Sequence, residues 1–158
     1  MKHCNAFPSK PQILATFLLT AFLLTRTVQA ASLVDPINKN SAGIAIKGYD
    51  PVAYFELGKA EKGSALFSAQ WGGATWHFAS DSNRAQFTAT PEKYLPQYGG
   101  YCAWAVSHGY TAGIDPEAWK IESGKLYLNY SKDIQGKWMK DSTRYISDGN
   151  RVWLSLHK

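Results

Sequence analysis

The sequence predicts an α+β fold, in which a small antiparallel sheet of hairpins has helices packed on it. Two turn signals indicate the hairpins, because Gly72-Gly73 and Ser123-Gly124 each separate two short runs rich in β-branched and aromatic residues. Helix signals stand between and around these hairpins, and Asp50 followed by a proline is the clearest of them. The resulting order of strand, helix, hairpin, helices, hairpin and helix is typical of this fold class.

Caps, turns and apolar periodicity place the individual elements. Asp50, Ser80 and Ser131 are predicted N-caps, and Asp115-Pro116 repeats the cap-plus-proline signature. The predicted elements, in chain order, are a short strand from 43 to 46, a helix over 51–57, strands over 65–71 and 74–79, helices over 81–89 and 91–95, a turn over 96–100, a helix over 101–107, strands over 119–122 and 125–130, and a helix over 132–147. A last segment, 152–156, is expected to close the chain against the core.

The N-terminus has the three parts of a secretory signal peptide. Lys2 and Lys10 precede an uncharged apolar run at 13–24, and the sequence Val-Gln-Ala at 28–30 has the small-x-small form that signal peptidase cleaves. We therefore expect cleavage after Ala30 and a protein that is periplasmic or secreted. The alternative is a retained membrane anchor, which is disfavoured because the run is shorter than the ~20 apolar residues that cross a bilayer.

Cleavage divides the chain into a signal peptide (1–30), an irregular polar arm (31–43) and a single domain (44–156). The full chain has 17 Lys and Arg against 12 Asp and Glu, and three of the basic residues leave with the signal. The exported chain then has 14 basic and 12 acidic residues, a net charge of +2, and they are scattered along it. A nucleic-acid partner needs a clustered basic patch, so none is expected, and no stable membrane span is expected after cleavage.

Cysteine and histidine side chains are the candidate metal ligands of the exported chain. Cys4 leaves with the signal, so Cys102 is the single remaining thiol, which is unusual in an oxidising compartment. His77 lies on a predicted strand, and His108 follows Cys102 by six residues. These spacings match no zinc signature. The alternative interpretation places Cys102 in the core, leaves His77 half exposed and puts His108 in a turn.

The aromatic residues between positions 94 and 110 allow a second function. Tyr98, Tyr101, Trp104 and Tyr110 are candidates for lining a pocket that binds a small organic ligand, or a surface that binds a partner protein. Core and turn packing is the alternative explanation for the same residues, and the sequence alone does not separate the two.

A thiol-dependent enzyme is a third hypothesis. A cysteine nucleophile needs a histidine base within hydrogen-bond reach and a group that orients it. Asp50 and Asp115 are candidates for the orienting group, although helix capping explains both. Since the chain also lacks a G-x-S-x-G elbow and a phosphate-binding glycine loop, a non-enzymatic role is favoured over catalysis.

Five motifs follow one another along residues 44–156. They are Gly-Tyr-Asp-Pro-Val-Ala-Tyr-Phe at 48–55, Trp-His-Phe-Ala-Ser at 76–80, Pro-Glu-Lys-Tyr-Leu-Pro-Gln-Tyr-Gly-Gly-Tyr-Cys-Ala at 91–103, Asp-Pro-Glu-Ala-Trp at 115–119 and Gly-Lys-Leu-Tyr-Leu-Asn-Tyr at 124–130. This string resembles the exported, stand-alone branch of the YHS-domain family. The resemblance is specific because several linked motifs occur in one order and cover nearly the whole exported chain.

The resemblance implies a metal-binding module, with copper as the suggested ion. The family's metal argument depends on two cysteines at a helix start, and Ala79 and Asn83 stand at the matching positions here. Together with the single exported thiol, the resemblance leads us to predict a non-enzymatic module for copper or another soft transition metal. Cys102 is the predicted thiolate ligand, and His77 and His108 are the predicted imidazole ligands, since Cu(I) favours soft donors.

Overall fold

The structure is a computed structural model that describes Met1 and residues 34–156. The rest of the predicted signal peptide, arm residues 31–33 and the last two residues of the chain lie outside the described residues. The described elements are α1 (Pro51–Glu56), β1 (Ser64–Trp71), β2 (Ala74–Phe78), α2 (Asp81–Ala89), α3 (Pro91–Tyr94), α4 (Ala103–Ser107), β3 (Asp115–Glu122), β4 (Lys125–Asn129), α5 (Lys132–Met139) and α6 (Ser142–Leu156), with 3₁₀ turns at Ile46–Gly48 and Gln97–Gly100. Among these residues, no helix has the length and apolar character needed to span a membrane.

The predicted α+β fold is confirmed, and its strands form two separate antiparallel hairpins. β1 pairs with β2 across Gly72-Gly73, and β3 pairs with β4 across Ser123-Gly124. The two central residues of each turn have positive φ, as a two-residue hairpin loop that follows the strand twist requires. Isolated parallel bridges, such as that between Cys102 and Leu128, connect the hairpins to the segments around them.

The short strand predicted at 43–46 is not formed. Ile44 and Ala45 each make a single bridge, to Thr75 and Lys39 respectively, and the chain then enters a 3₁₀ turn. Ile46 and Lys47 have positive φ values of 38° and 58°, which are incompatible with an extended strand. The local apolar pattern predicts a strand here, but the backbone turns to carry the chain into α1.

The cap-plus-proline signature at Asp115-Pro116 predicts the start of a helix, and this prediction is wrong. The pair is the start of β3. The Asp115 carboxylate accepts the backbone N–H of Glu117 at 3.0 Å, and the pairing with β4 is irregular between Asp115 and Trp119. An aspartate that bonds its own backbone two residues on can stabilise a turn as well as a helix start, and proline is tolerated at the first positions of a strand.

The helix predicted over 132–147 is divided in two, and its second part extends to Leu156. α5 ends at Met139, and the backbone carbonyl of Asp141 accepts the N–H of Tyr145 in the first turn of α6. The segment 152–156 therefore belongs to a helix that passes through Gly149. Trp138 of α5 and Tyr145 of α6, on either side of the break, both pack in the same apolar cluster.

The apolar core has two parts. The first lies under β2, where Trp76 and Phe78 are fully buried, as the alternation of side chains along this strand predicts. Phe87 of α2 packs on both rings, with centroid distances of 5.4 and 5.1 Å. The second part lies between α4, β4, α5 and α6, and is built around Tyr127 and Trp138, whose ring centroids are 5.2 Å apart.

A buried carboxylate joins α1 to the first hairpin and α2. Asp50 caps α1, since its Oδ1 accepts the N–H groups of Val52 at 2.8 Å and Ala53 at 3.4 Å. Its Oδ2 accepts the N–H of Ala79 at 2.8 Å and the side-chain amide of Asn83 at 2.6 Å. Asp50 is 0% exposed, so these four donors replace the water that the carboxylate loses on folding.

α6 lies on Tyr98, and Gly149 permits the close approach. The Tyr98 hydroxyl is 3.2 Å from the Ile146 carbonyl oxygen and 3.1 Å from Asn150 Oδ1, both of which can accept its proton. A Cβ atom on Gly149 would lie 2.6 Å from this hydroxyl oxygen, which is closer than two such atoms approach in proteins. A side chain at position 149 would therefore push α6 away from Tyr98.

We predict that Gly149→Ala destabilises the protein by about 1–3 kcal/mol, as expected when an atom is forced into a packed contact. Gly136→Ala is the matched control, because Gly136 lies inside α5 and a Cβ atom there meets nothing within 4 Å. The control should gain about 0.5–1 kcal/mol from the better helix propensity of alanine. Urea unfolding of both variants measures the difference, and equal effects would contradict the packing of α6 on Tyr98.

Candidate functional site

Cys102 is a buried residue at the start of α4. It is 1% exposed, and its thiol lies 3.8 Å from the side-chain oxygen of Asn129, which it can reach as a weak donor. The same Asn129 oxygen accepts the backbone N–H of Trp104 at 3.2 Å. β4, which carries Asn129, therefore holds the start of α4 in place through one fully buried amide.

Burial raises the pKa of the Cys102 thiol above its ordinary value. The backbone N–H groups of Ala105, Tyr130 and Trp104 act in the opposite direction, since they stabilise a thiolate, but desolvation outweighs them. The thiol is therefore protonated at neutral pH. A neutral thiol is a poor nucleophile and must lose its proton before it binds a metal, so this environment favours neither catalysis nor tight metal binding.

The two candidate histidines lie in different surroundings. His77 is half-buried on β2 beside the chain that leads into α1, where its Nδ1 would be 3.3 Å from a Cβ atom on Gly48. His108 is exposed at the end of α4, and its ring lies 4.3 Å from the Trp104 ring and 5.8 Å from the Tyr145 ring. The Nδ1 atom of His108 is 2.7 Å from the Trp104 carbonyl oxygen, so this histidine completes an aromatic stack.

The predicted metal ligands do not form a recognisable site. Within residues 34–156, no group of three or more His, Cys, Asp or Glu side chains could hold a metal ion. At the two positions where the resembling family has cysteines, Ala79 and Asn83 both donate hydrogen bonds to Asp50. The side chains present therefore do not fit the copper or soft-metal site that the sequence predicts.

Three of the four candidate aromatic residues line pockets, and they are divided between two of them. Tyr98 lines the larger pocket, which has a volume of about 680 Å³. Trp104 and Tyr110 line a smaller pocket of about 230 Å³, together with Cys102. Tyr101 contacts Trp153, a residue of the larger pocket, at a ring-centroid distance of 6.0 Å. What the sequence presents as one aromatic region is therefore two separate sites.

The larger pocket lies where the two ends of the segment 34–156 meet the first hairpin. Its walls come from the arm (Ile37), the β1–β2 turn (Trp71), the 3₁₀ turn Gln97–Gly100 and α6 (Trp153). Every residue that lines it is uncharged, and most of the exposed wall is apolar. The side chains of Gln97, Tyr98 and Asn150 supply the polar groups, so the pocket combines an apolar surface with a few hydrogen-bonding atoms.

A strained turn forms one wall of this pocket. Tyr98, Gly99 and Gly100 have φ values of 57°, 59° and 83°, which is a run of three left-handed residues. Glycine adopts this conformation freely, whereas for Tyr98 it costs about 1–3 kcal/mol. Packing of the Tyr98 ring against Tyr127 and Trp153 holds it there, together with the hydroxyl contacts to α6. These contacts hold the wall in place.

The arm is held on this turn by its backbone. Asn38 donates its backbone N–H to the Gly99 carbonyl and its side-chain amide to the Gly100 carbonyl, both at 2.9 Å. A Cβ atom on Gly99 would lie 1.9 Å from the Pro36 carbonyl oxygen, so only glycine fits at this position. The Tyr-Gly-Gly motif could have indicated left-handed backbone, but no local signal marks the arm, Trp71 or Trp153 as pocket walls.

The chain matches no protein-family model, and neither curated proteins nor solved structures show significant similarity to it. The geometry of these two pockets and the chemistry of their walls are therefore the observations that bear on function.

We predict that stability falls as the pH rises above the ordinary thiol pKa of about 8.5. Burial raises the pKa of Cys102, so the folded state keeps a proton that the unfolded chain has lost, and folding becomes less favourable through that window. Urea unfolding between pH 8 and 9.5, below the ordinary pKa of tyrosine, measures the free energy of unfolding. This free energy should decrease less with pH for Cys102→Ser than for the wild type. Identical pH profiles would contradict a buried thiol.

Proposed function

We propose that this protein is an exported, non-enzymatic binding module that holds a small, neutral, largely apolar organic ligand in the larger pocket. The observation that carries the proposal is an uncharged cavity of about 680 Å³ with two tryptophans, Trp71 and Trp153, in its wall. Its volume falls within the range of roughly 300–1,000 Å³ that is typical of small-molecule sites.

The wall chemistry supports a neutral ligand. A charged group in this pocket would lose water without gaining an oppositely charged partner from the lining residues, which is costly in free energy. The side-chain amides of Gln97 and Asn150 offer a few hydrogen bonds that would orient a ligand carrying one or two polar atoms.

The rigidity of the walls also supports a binding role. The 3₁₀ turn is held by Asn38 on one side and by α6 on the other. A preorganised pocket binds more tightly because less conformational entropy is lost when the ligand enters. This arrangement favours the small-ligand hypothesis over a surface for a partner protein.

The remaining parts of the proposal come from the sequence. The signal-peptide features of residues 1–30 support a periplasmic or secreted location, and the five motifs at 48–130 support membership of the YHS-domain family. A thiol-dependent enzyme is less well supported, because the pocket that contains Cys102 has no histidine in its lining.

We predict that a neutral fluorescent probe, N-phenyl-1-naphthylamine, binds the larger pocket and that Gln97→Trp weakens this binding at least about tenfold. Gln97 lines the pocket, so a tryptophan there fills part of it. Gln70→Trp is the matched control, since Gln70 is exposed on β1 outside both pockets and should leave affinity unchanged. Fluorescence titration measures both variants, and equal affinities would contradict the site.

Binding of copper or another soft metal stays a prediction of the sequence, and it has a direct test. The exported chain and its Cys102→Ser variant can be titrated with Cu(I), Cu(II) and Zn(II) against a competing chelator. From the absence of a ligand cluster within residues 34–156, we expect no stoichiometric binding above the limit of the chelator. Tight binding of one ion that disappears in Cys102→Ser would contradict our proposal and restore the metal function.

A further inference from the structure

We propose that the smaller pocket is a second ligand site, which takes a single compact aromatic ring whose substituents are apolar and form no hydrogen bonds. The two pockets share no lining residue, so this site is separate from the larger pocket. The inference goes beyond the proposed function, because the ligand class differs and either site can fail without the other.

Backbone hydrogen bonds close the smaller pocket around a buried floor. Cys102 donates its N–H to the Ala112 carbonyl at 3.1 Å, and Tyr110 donates its N–H to the Ala105 carbonyl at 3.2 Å. These bonds hold the start of α4 against the segment 110–112, and all four residues line the pocket. Cys102 and Ala105 are each 1% exposed. The floor is therefore formed by the fold itself and does not depend on a ligand.

Aromatic side chains form much of the remaining wall. The Trp104 ring is held by His108 and Tyr145, at centroid distances of 4.3 and 4.8 Å. Tyr110 and Tyr130, which are 52% and 61% exposed, also line the pocket and lie near solvent. Flat rings of this kind bind other rings through offset or edge-to-face contacts, which favours an aromatic ligand.

The volume of this pocket sets the size of the ligand. At about 230 Å³ it is smaller than the roughly 300–1,000 Å³ of most drug-sized sites. It is larger than an engineered apolar cavity of about 150 Å³ that binds benzene. A benzene ring with a small substituent therefore matches the space.

The polarity of the wall excludes polar substituents. None of the lining residues is charged, and the exposed wall is almost entirely apolar. Backbone carbonyls of the floor already have donors, since that of Trp104 accepts the Ser107 hydroxyl at 2.7 Å and that of Cys102 accepts the Val106 N–H at 3.0 Å. The protonated Cys102 thiol behaves as a small apolar group. A hydroxyl or charged group of a ligand would therefore lose water here without gaining a partner.

Ethylbenzene and benzyl alcohol test the proposal on the exported chain, because they have nearly the same shape and differ in a methyl group that is replaced by a hydroxyl group. We expect calorimetry to show one-to-one binding of ethylbenzene. Benzyl alcohol should bind at least about tenfold more weakly, because its hydroxyl group gives up hydrogen bonds to water that the wall does not replace.

Ala112→Leu should abolish ethylbenzene binding, because Ala112 lines the pocket and a larger side chain fills it. Ala65→Leu is the matched control, since Ala65 is exposed on β1. Tyr110→Ala changes an exposed residue of the wall, so it gives a second variant outside the core, and it should weaken ethylbenzene binding. Gln97→Trp, which fills part of the larger pocket, should leave this binding unchanged. Unchanged binding of the naphthylamine probe in Ala112→Leu shows that the larger pocket is intact.

Three results would overturn the proposal. The first is the absence of saturable ethylbenzene binding to the wild type. The second is wild-type affinity in both Ala112→Leu and Tyr110→Ala, or loss of binding in Gln97→Trp, either of which would place the ligand elsewhere. The third is equal affinity for ethylbenzene and benzyl alcohol, which would contradict a wall that excludes polar substituents.

Discussion

The buried carboxylate of Asp50 is the contact on which the first half of the fold depends. It lies where the first turn of α1, the end of β2 and the first turn of α2 converge, and it accepts hydrogen bonds from all three. Each of its donors would otherwise be a polar group with little access to water, at a cost of about 1–3 kcal/mol. One side chain thus fixes the relative positions of three elements that no continuous sheet connects.

The second half of the fold depends on a different kind of constraint, which is close packing on Tyr98. The turn that presents this ring is left-handed, so it needs the two glycines that follow, and the helix above it needs the small residue Gly149. The ring is buried, and desolvation raises the pKa of its hydroxyl. Both pockets lie beside this region, because α6 contacts Trp104 on one side through Tyr145 and closes the larger pocket on the other through Trp153.

Local signals are sufficient to predict most elements of this fold. Asp50, Ser80 and Ser131 cap α1, α2 and α5 through side-chain hydrogen bonds, and both hairpin turns have the expected geometry. The signals fail where a long-range contact decides the outcome. The sequence predicts a helix that ends at 147, whereas packing on Tyr98 carries α6 through Gly149, although glycine normally weakens a helix. The same applies to the site, because neither the burial of Cys102 nor the use of Asn83 by Asp50 can be deduced from spacing.

The larger pocket is assembled from segments that are far apart in the chain. Its walls combine Ile37, near the start of the described segment 34–156, with Trp153, near its end, and the 3₁₀ turn lies midway between them in the chain. The cavity therefore does not exist until these distant segments have come together in the folded domain. A chain that crosses a membrane unfolded, as the proposed export route implies, would present no such cavity on the side where it is made. The proposed ligand would then be acquired at the destination, and the chemistry of that compartment would decide what the pocket contains.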